Sequence, residues 1–303
     1  MSDRKTTFPL LFVDCCLLSA LLTSGVAFAA GWPPTLDRDN PDTRSLDDRT
    51  IERYTHGCRA EWGYPAVSTD EWSYPALHES GKLHQIHNSF YVVAPRKRTA
   101  LAPLCVVLHS ANRTGFDYMA FQFLHRKIEG GDHPPDVCTA VPDDCYALYP
   151  NSTNAEWWGW GLAKRDKSYL KNLAPPEKRV LETIEWVVTH YPIDRNRIYL
   201  AGLSMGGCGT LGLGLPHGDV FAAIAAWVPA DTDFAAFRMD FQPSPDANAS
   251  QETKEDWIKR ISAVGLPDPP VVVDFSAQND NWSKTQDVLL NASRAGRLAL
   301  VLG

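Results

Sequence analysis

Short apolar segments alternate with helical patterns along most of this chain, and the alternation limits the folds it can adopt. LCVVLHS, RIYLAGLS and FAAIAAWVPA are rich in β-branched or aromatic residues and end in turn formers, as buried strands do. The segment EKRVLETIEWVVTHY carries apolar residues at helical spacing. Continuously apolar strands separated by helices form parallel sheets that are covered on both faces. The sequence therefore predicts an α/β fold with a mostly parallel central sheet and helices on both faces.

One predicted strand leads directly into Gly202-Leu203-Ser204-Met205-Gly206, the Gly-x-Ser-x-Gly pattern of a nucleophile elbow. In an elbow, strained backbone angles lift the serine hydroxyl above the sheet, and the flanking glycines let strand and helix approach closely. The next segment, GGCGTLGLGLP, is predicted to be a helix. The amide of Met205 would open this helix and face a developing oxyanion. Ser204 is therefore the candidate nucleophile.

From about Asn88 to its end, the chain resembles secreted α/β-hydrolases of the polyhydroxybutyrate-depolymerase and feruloyl-esterase type. The segments that carry the resemblance are VVLHSANRTG, YPNSTNAEWWGWG, IDRNRIYLAGLSMGG and LPHGDVFAAIAAWVPA. The resemblance implies the α/β-hydrolase fold and cleavage of carboxylic esters by a Ser-His-Asp acyl-enzyme mechanism, on polysaccharide-linked or polyester substrates. A serine peptidase of the prolyl-oligopeptidase type and a catalytically silent carbohydrate-binding or interaction protein are the alternatives.

The same resemblance implies a second donor for the oxyanion. The family's strand before the oxyanion turn usually ends in His-Gly-x, whereas this chain has His109-Ser110-Ala111. The amide of Ala111 is the implied donor, and the amide of Ser110 stays open as the alternative. His109 itself is expected to be a hydrogen-bonded structural residue at the end of its strand.

The acid and the base should follow the serine, because the triad in this fold runs serine, acid, histidine along the chain. Asp274 lies within an apolar run, and Asp280 lies in the loop beyond it, where catalytic groups collect, so Asp280 is the expected acid. All nine histidines precede Asp280, and the chain stops at Gly303 in or just after its last predicted strand. We expect this strand and the catalytic-histidine loop to be incomplete through C-terminal truncation, which would impair catalysis. An unusual or absent triad is the alternative.

Tryptophans cluster in AEWWGWG, directly after a predicted strand. Indole rings bind sugars and aromatic acyl groups through apolar area and stacking. Trp157, Trp158 and Trp160 are therefore candidate substrate-binding residues, with a core plug as the equal alternative. Trp282 follows Asp280 and is the fourth candidate.

Charge and motif content narrow the partners. The formal net charge is −7, and both signs are spread along the chain without a long basic block, so nucleic acid is not expected as a partner. No nucleotide, phosphate or metal motif is present, because helix packing explains the glycines after the elbow. We expect a small-molecule or polymeric ester as the partner, with no cofactor and no metal.

The N-terminal residues differ from the rest of the chain. Residues 1–29 combine Arg4 and Lys5, an apolar stretch and the small-x-small ending Ala27-Phe28-Ala29, which predicts a secretory signal peptide. An uncleaved membrane anchor is the alternative. The mature protein is expected to be secreted or periplasmic, with no membrane association. Residues 30–87 are predicted to be a partly irregular lead-in and residues 88–303 the catalytic domain.

Cysteines suggest one covalent link. Cys138 and Cys145 bracket a loop-like segment and are candidates for a disulfide in an oxidising compartment. Cys105 and Cys208 sit within apolar stretches and are expected to be core residues.

Overall fold

The computed structural model describes most of the chain after its N-terminal segment. The described residues are 34–40, 43–46, 48–55, 89–97, 99–124, 140–154, 156–230, 232–239, 259, 263, 265–276, 287–294 and 296–302. They belong to one compact unit, Pro33–Gly303. The predicted signal peptide lies outside the described residues.

Ten strands of the described chain form one sheet. The strands are β1 Thr35–Leu36, β2 Arg44–Ser45, β3 Thr50–Thr55, β4 Ser89–Val93, β5 Ala102–Leu108, β6 Tyr146–Tyr149, β7 Ile193–Leu203, β8 Ala223–Trp227, β9 Val271–Phe275 and β10 Leu300–Leu302. Their order across the sheet is β1-β3-β4-β6-β5-β7-β8-β9-β10, and β2 pairs with β3. The pairs from β6 to β10 in this order are parallel, whereas every pair that involves β1 to β4 is antiparallel. The prediction of a mostly parallel sheet is confirmed.

Helices connect the parallel strands. The described α-helices are α1 Gly115–Leu124, α2 Trp160–Arg165, α3 Pro175–His190, α4 Met205–Gly214, α5 Asp233–Arg238 and α6 Asp287–Arg294, with 3₁₀ turns at Trp157–Gly159, Lys167–Leu170 and Leu215–His217. The β5–α1–β6 and β7–α4–β8 connections run in opposite directions across the sheet. Because such crossovers are almost always right-handed, α1 and α4 lie on opposite faces. This arrangement is the α/β-hydrolase fold that the resemblance implied.

The centre of the sheet is buried on both sides. In β5, the consecutive residues Val106, Val107 and Leu108 are each at most 1% exposed. Successive strand residues point to opposite faces, so burial of all three requires cover on both faces. Burial of each such side chain contributes about 1.5–3 kcal/mol. The strand that carries the elbow, β7, pairs with β5 and is held by this core.

Residues 30–87, predicted to be a partly irregular lead-in, contribute strands to the sheet. In this range, β3 pairs antiparallel with β4, from Ile51 opposite Val93 to Thr55 opposite Ser89. Polar and apolar residues mix in TIERYT, which hides the strand from a search for apolar runs. The buried Arg53 forms an ion pair with Asp37.

The cysteines differ from the prediction in one respect, because Cys145 forms no disulfide. Cys145 is a buried free thiol, and its proposed disulfide partner Cys138 lies outside the described residues. Cys105 packs against the core cluster that contains Cys145. Cys208 is fully buried, as predicted.

None of the helices within the described residues combines the length and the hydropathy needed to cross a bilayer.

Candidate active site

Ser204 sits at the sharp corner between β7 and α4. Its φ of 55° and ψ of −112° place it in a region that non-glycine residues rarely adopt. The surrounding backbone fixes this conformation: the Ser204 amide donates to the carbonyl of Trp227 (2.8 Å), and the Ser204 carbonyl accepts from the amides of Cys208 (2.9 Å) and Ala230 (3.2 Å). Strain of this kind persists only where neighbouring structure determines it, and it is concentrated at functional sites.

Two glycines allow the corner to close. A Cβ atom on Gly202 would lie 2.3 Å from the carbonyl oxygen of Gly206. A Cβ atom on Gly206 would lie 2.1 Å from the carbonyl oxygen of Leu108, at the end of β5. Both distances are far below van der Waals contact, so only glycine fits at either position. The contact at Gly206 also brings the loop after β5 against the first turn of α4.

The chemistry of the corner depends on groups that are left available. Ser204 is partly exposed, and its hydroxyl makes no hydrogen bond to the described residues. Met205 begins α4, so its amide has no acceptor within the helix and carries the positive end of the helix dipole. The Met205 side chain is fully buried, which leaves the backbone as its contribution to the site.

The loop after β5 distinguishes between the two candidate oxyanion donors. The Ser110 amide donates to the hydroxyl of Tyr118 at 3.1 Å. Asn112, with φ 58°, donates its amide to Oδ1 of Asn154 at 2.9 Å. Ala111 lies between these two anchors, and its own amide has no acceptor among the described residues. The geometry therefore favours the amide of Ala111 over that of Ser110.

His109 fixes the base of the same loop. Its imidazole is 1% exposed, and Nε2 accepts from the amide of Ser152 at 3.0 Å. The ring proton must then be on Nδ1, which donates to the Ser110 carbonyl at 2.9 Å. With both ring nitrogens occupied, His109 has a structural role.

The three clustered tryptophans have different environments. Trp158 is 1% exposed, its Nε1 donates to the His109 carbonyl at 3.0 Å, and a Cβ on Gly209 would lie 2.5 Å from its own Cβ. It is a core plug between the loop after β5 and α4, and no face of its ring is open to a substrate. Trp157 and Trp160 are partly exposed, with ring centroids 4.6 Å apart. Only these two of the three can contact a ligand.

A buried ion pair supports this region from below. Glu156 and Arg179 are 1% and 2% exposed, and Nη2 of Arg179 donates to Oε2 of Glu156 at 2.8 Å. The same carboxylate oxygen accepts from the Ser152 hydroxyl and the Thr153 amide, both at 3.2 Å. Since the amide of Ser152 also donates to His109, the ion pair is connected to the loop after β5 through a single residue. Glu156 and Arg179 lie 23 residues apart in the sequence, and no local pattern predicts that they pair.

The candidate acids are only partly described. Asp274 lies in β9, is 2% exposed and accepts from the Ser276 hydroxyl at 2.9 Å. Burial raises the pKa of Asp274, although the Ser276 hydrogen bond opposes the shift. Asp280 and Trp282 lie outside the described residues.

Two further histidines fall within the described residues. His190 ends α3, and its ring stacks on Trp186 with 4.1 Å between the ring centroids. His217 lies in the turn after α4, where burial lowers the pKa of its imidazole. Both positions are at the edge of the sheet where β7 begins, whereas Ser204 is at the edge where β7 ends. Neither can reach the Ser204 hydroxyl.

No group of three or more His, Cys, Asp or Glu side chains within the described residues could hold a metal ion.

Comparison with known proteins gives structural neighbours only. No protein-family model and no curated protein matches the chain. A ferulic acid esterase from Anaeromyces mucronatus is 13% identical, covers 89% of this chain and 88% of its own, and has a TM-score of 0.47. For an S-formylglutathione hydrolase from Agrobacterium tumefaciens the values are 13%, 86%, 88% and 0.47. For one from Staphylococcus aureus they are 17%, 71%, 81% and 0.43. Similarity at this level carries no information about activity or substrate.

Proposed function

We propose that this chain is a serine hydrolase that cleaves carboxylic esters through an acyl-enzyme formed on Ser204. The backbone of Ser204 carries the proposal, because its strained angles are locked by three hydrogen bonds and by glycines that nothing larger can replace. A serine in an ordinary strand-to-helix turn has no need of such a conformation.

The proposed mechanism follows from the groups at the corner. The Ser204 hydroxyl attacks the ester carbonyl, and the amides of Met205 and Ala111 stabilise the charge that develops on the carbonyl oxygen. The Oγ–acyl bond forms as the bond to the alcohol oxygen breaks, and the alcohol leaves with the proton that Ser204 has given up. Water then adds to the acyl-enzyme, the acid is released, and Ser204 regains a proton. Each oxyanion donor of this kind is worth about 10²–10³-fold in kcat.

The proton must also be moved. The proposal keeps Asp280 as the carboxylate that orients a histidine, but all nine histidines precede it in the sequence. The histidines within the described residues are held by packing and hydrogen bonds elsewhere. None of the histidines within the described residues is therefore assigned as the base.

The proposed substrates are esters linked to polysaccharides or esters of a polyester. Support comes from Trp157, whose partly exposed ring offers stacking surface, and Trp282 is a further candidate. The proposal includes export to the periplasm or beyond, which the charged start and apolar stretch of residues 1–29 support.

Acylation by p-nitrophenyl acetate tests the nucleophile with a substrate that makes a small demand on acid–base catalysis. Nitrophenolate is a good leaving group that needs no proton from a general acid, so removal of the Ser204 proton is the one proton transfer that acylation requires. We expect one acetyl group per chain, located on Ser204 by peptide mass spectrometry. The Ser204→Ala variant should lose it, and Ser168→Ala, at an exposed serine, should keep it. Acetylation that survives Ser204→Ala would contradict the proposal.

A second comparison addresses the bond that is cleaved. Matched p-nitrophenyl ester and p-nitroanilide substrates share an acyl group and a chromophore. Faster acylation by the ester, beyond its intrinsic reactivity in water, supports an esterase, and preference for the anilide supports a peptidase.

A further inference from the structure

A cavity of about 570 Å³ lies between α2, the Lys167–Leu170 turn and α5. Its size falls within the roughly 300–1,000 Å³ typical of sites for small molecules. Trp160, Leu170, Phe234 and Phe237 form its apolar wall. Phe234 is 3% exposed and forms the floor, whereas Phe237, at the rim, is 48% exposed. Phe237 continues the apolar surface of the cavity to its rim, and contiguous exposed apolar surface of this kind is typical of binding sites.

Three lysines surround this apolar wall: Lys164, Lys167 and Lys171. All three are exposed, and none forms an ion pair with any described residue. The Nζ atom of Lys164 lies 3.5 Å from the centroid of the Trp160 ring, so this cation is held over the cavity wall. Asp166, the nearest carboxylate in sequence, accepts from the Ser168 amide and does not line the cavity. The cavity therefore combines an apolar interior with a positive rim that no carboxylate of the described residues pairs with.

The cavity is separate from the elbow. Its floor residue Phe234 packs against α4 at Gly212, where a Cβ would lie 2.3 Å from the phenylalanine ring. Gly212 is eight residues beyond Ser204, which corresponds to about 12 Å along a helix. Neither Ser204 nor any oxyanion donor lines the cavity. A ligand here would not occupy the place of an ester that is being cleaved.

We propose that this cavity binds an amphiphilic carboxylate, with its alkyl or aryl body against Trp160, Leu170, Phe234 and Phe237 and its charge at the lysine rim. The apolar wall selects the body, and the three cations select a negative head group over a neutral or positive one. This site goes beyond the proposed ester hydrolysis, because binding requires no chemistry at Ser204.

Calorimetric titration of the Ser204→Ala protein tests the proposal without turnover. The probes are octanoate and cinnamate, each paired with its alcohol, octan-1-ol and cinnamyl alcohol. Charge reversal of two exposed rim cations, Lys167→Glu with Lys171→Glu, should weaken carboxylate binding about tenfold and leave alcohol binding unchanged. The exposed Lys178 lies outside the cavity, so Lys178→Glu is the matched control and should change neither.

A second variant tests the apolar wall. Phe237→Ser removes an exposed ring without opening the core, and it should weaken both members of each probe pair. Preference for octanoate or for cinnamate identifies the body that the cavity accepts. Carboxylates that bind no more tightly than their alcohols, or that bind the double lysine variant as well as the parent, would overturn the proposal. Because the readout is binding to a protein without its nucleophile, it can succeed or fail whether or not Ser204 is acylated.

Discussion

Two buried arginine–glutamate pairs lie near α4, and they differ in what they hold. Both are bidentate ion pairs whose glutamates are at most 1% exposed: one joins Glu156 to Arg179, and the other joins Glu177 to Arg238. Arg179 also donates to the carbonyl of Asn151 at 3.1 Å, beside the turn that contacts His109. We call Glu156–Arg179 the inner pair.

The second pair, Glu177–Arg238, is called the outer pair. Arg238 donates to the carbonyls of Tyr169 (2.7 Å), Asn172 (3.1 Å) and Gly212 (3.0 Å). These contacts fasten the Lys167–Leu170 turn and α5 to the outer side of α4. The outer pair therefore holds the covering elements, and the inner pair holds the loop that carries Ala111. Identical side-chain chemistry serves the candidate active site in one place and the frame in the other.

The largest expected effect is on stability, and it should be common to both pairs. Arg179→Met and Arg238→Met each leave a buried carboxylate without its partner, which costs about 3–5 kcal/mol of unfolding free energy. Urea unfolding measures this change. Replacing both members of a pair by apolar residues should recover most of the loss, because no unpaired charge remains. A single variant that unfolds like the parent would show that its pair is not buried as described.

A smaller effect should separate the pairs by function. Glu156→Gln keeps the shape of the side chain but weakens the hydrogen bonds that it accepts from Ser152 and Thr153. The loop after β5, which contacts Ser152 through His109, should then be less well ordered. We expect acylation of Ser204 to slow about tenfold, equivalent to about 1.4 kcal/mol. Glu177→Gln is the matched control, and its acylation rate should stay within about twofold of the parent, since none of the hydrogen bonds of Glu177 reaches Ser204 or the loop after β5. Stopped-flow measurement with p-nitrophenyl acetate gives both rates, and equal slowing in the two variants would remove the functional distinction.

The smallest expected effect is a dependence on pH at the outer pair. Burial raises the pKa of Glu177 above its ordinary 4.5, while the Arg238 guanidinium and the Ala174 amide oppose the shift. A carboxyl with a higher pKa in the folded state binds more protons there, so its contribution to stability is present below the unfolded pKa and declines as pH rises through the folded pKa.

The corresponding measurement compares the parent and Glu177→Gln by urea unfolding at pH values below and above 4.5, the ordinary pKa of a glutamate carboxyl. The stability advantage of the parent should be largest below pH 4.5 and should shrink as the pH rises. An advantage that grows with pH would mean that Arg238 outweighs burial and that the outer pair behaves as a fully ionised bridge.

Local pattern was sufficient for the parallel strands of the sheet and for the glycines at the corner, but not for β3. The buried part of each parallel strand is predictable because it is an apolar run that ends in a turn, and Gly202 and Gly206 mark contacts that exclude any side chain. The contributions of Glu156, Arg179 and Tyr118 could not be predicted, because their partners are brought together only by the folded chain. The burial of Trp158 between two partly exposed tryptophans was equally hidden, since the sequence presents all three in the same way.

The fit at Gly206 has a consequence for how a chain of this kind can diversify. Helix and strand meet there without space for a methyl group, so neither can be displaced to reshape the cleft. An engineered change of specificity is therefore better placed in the segments that follow β6 and β8, which border the corner without forming it.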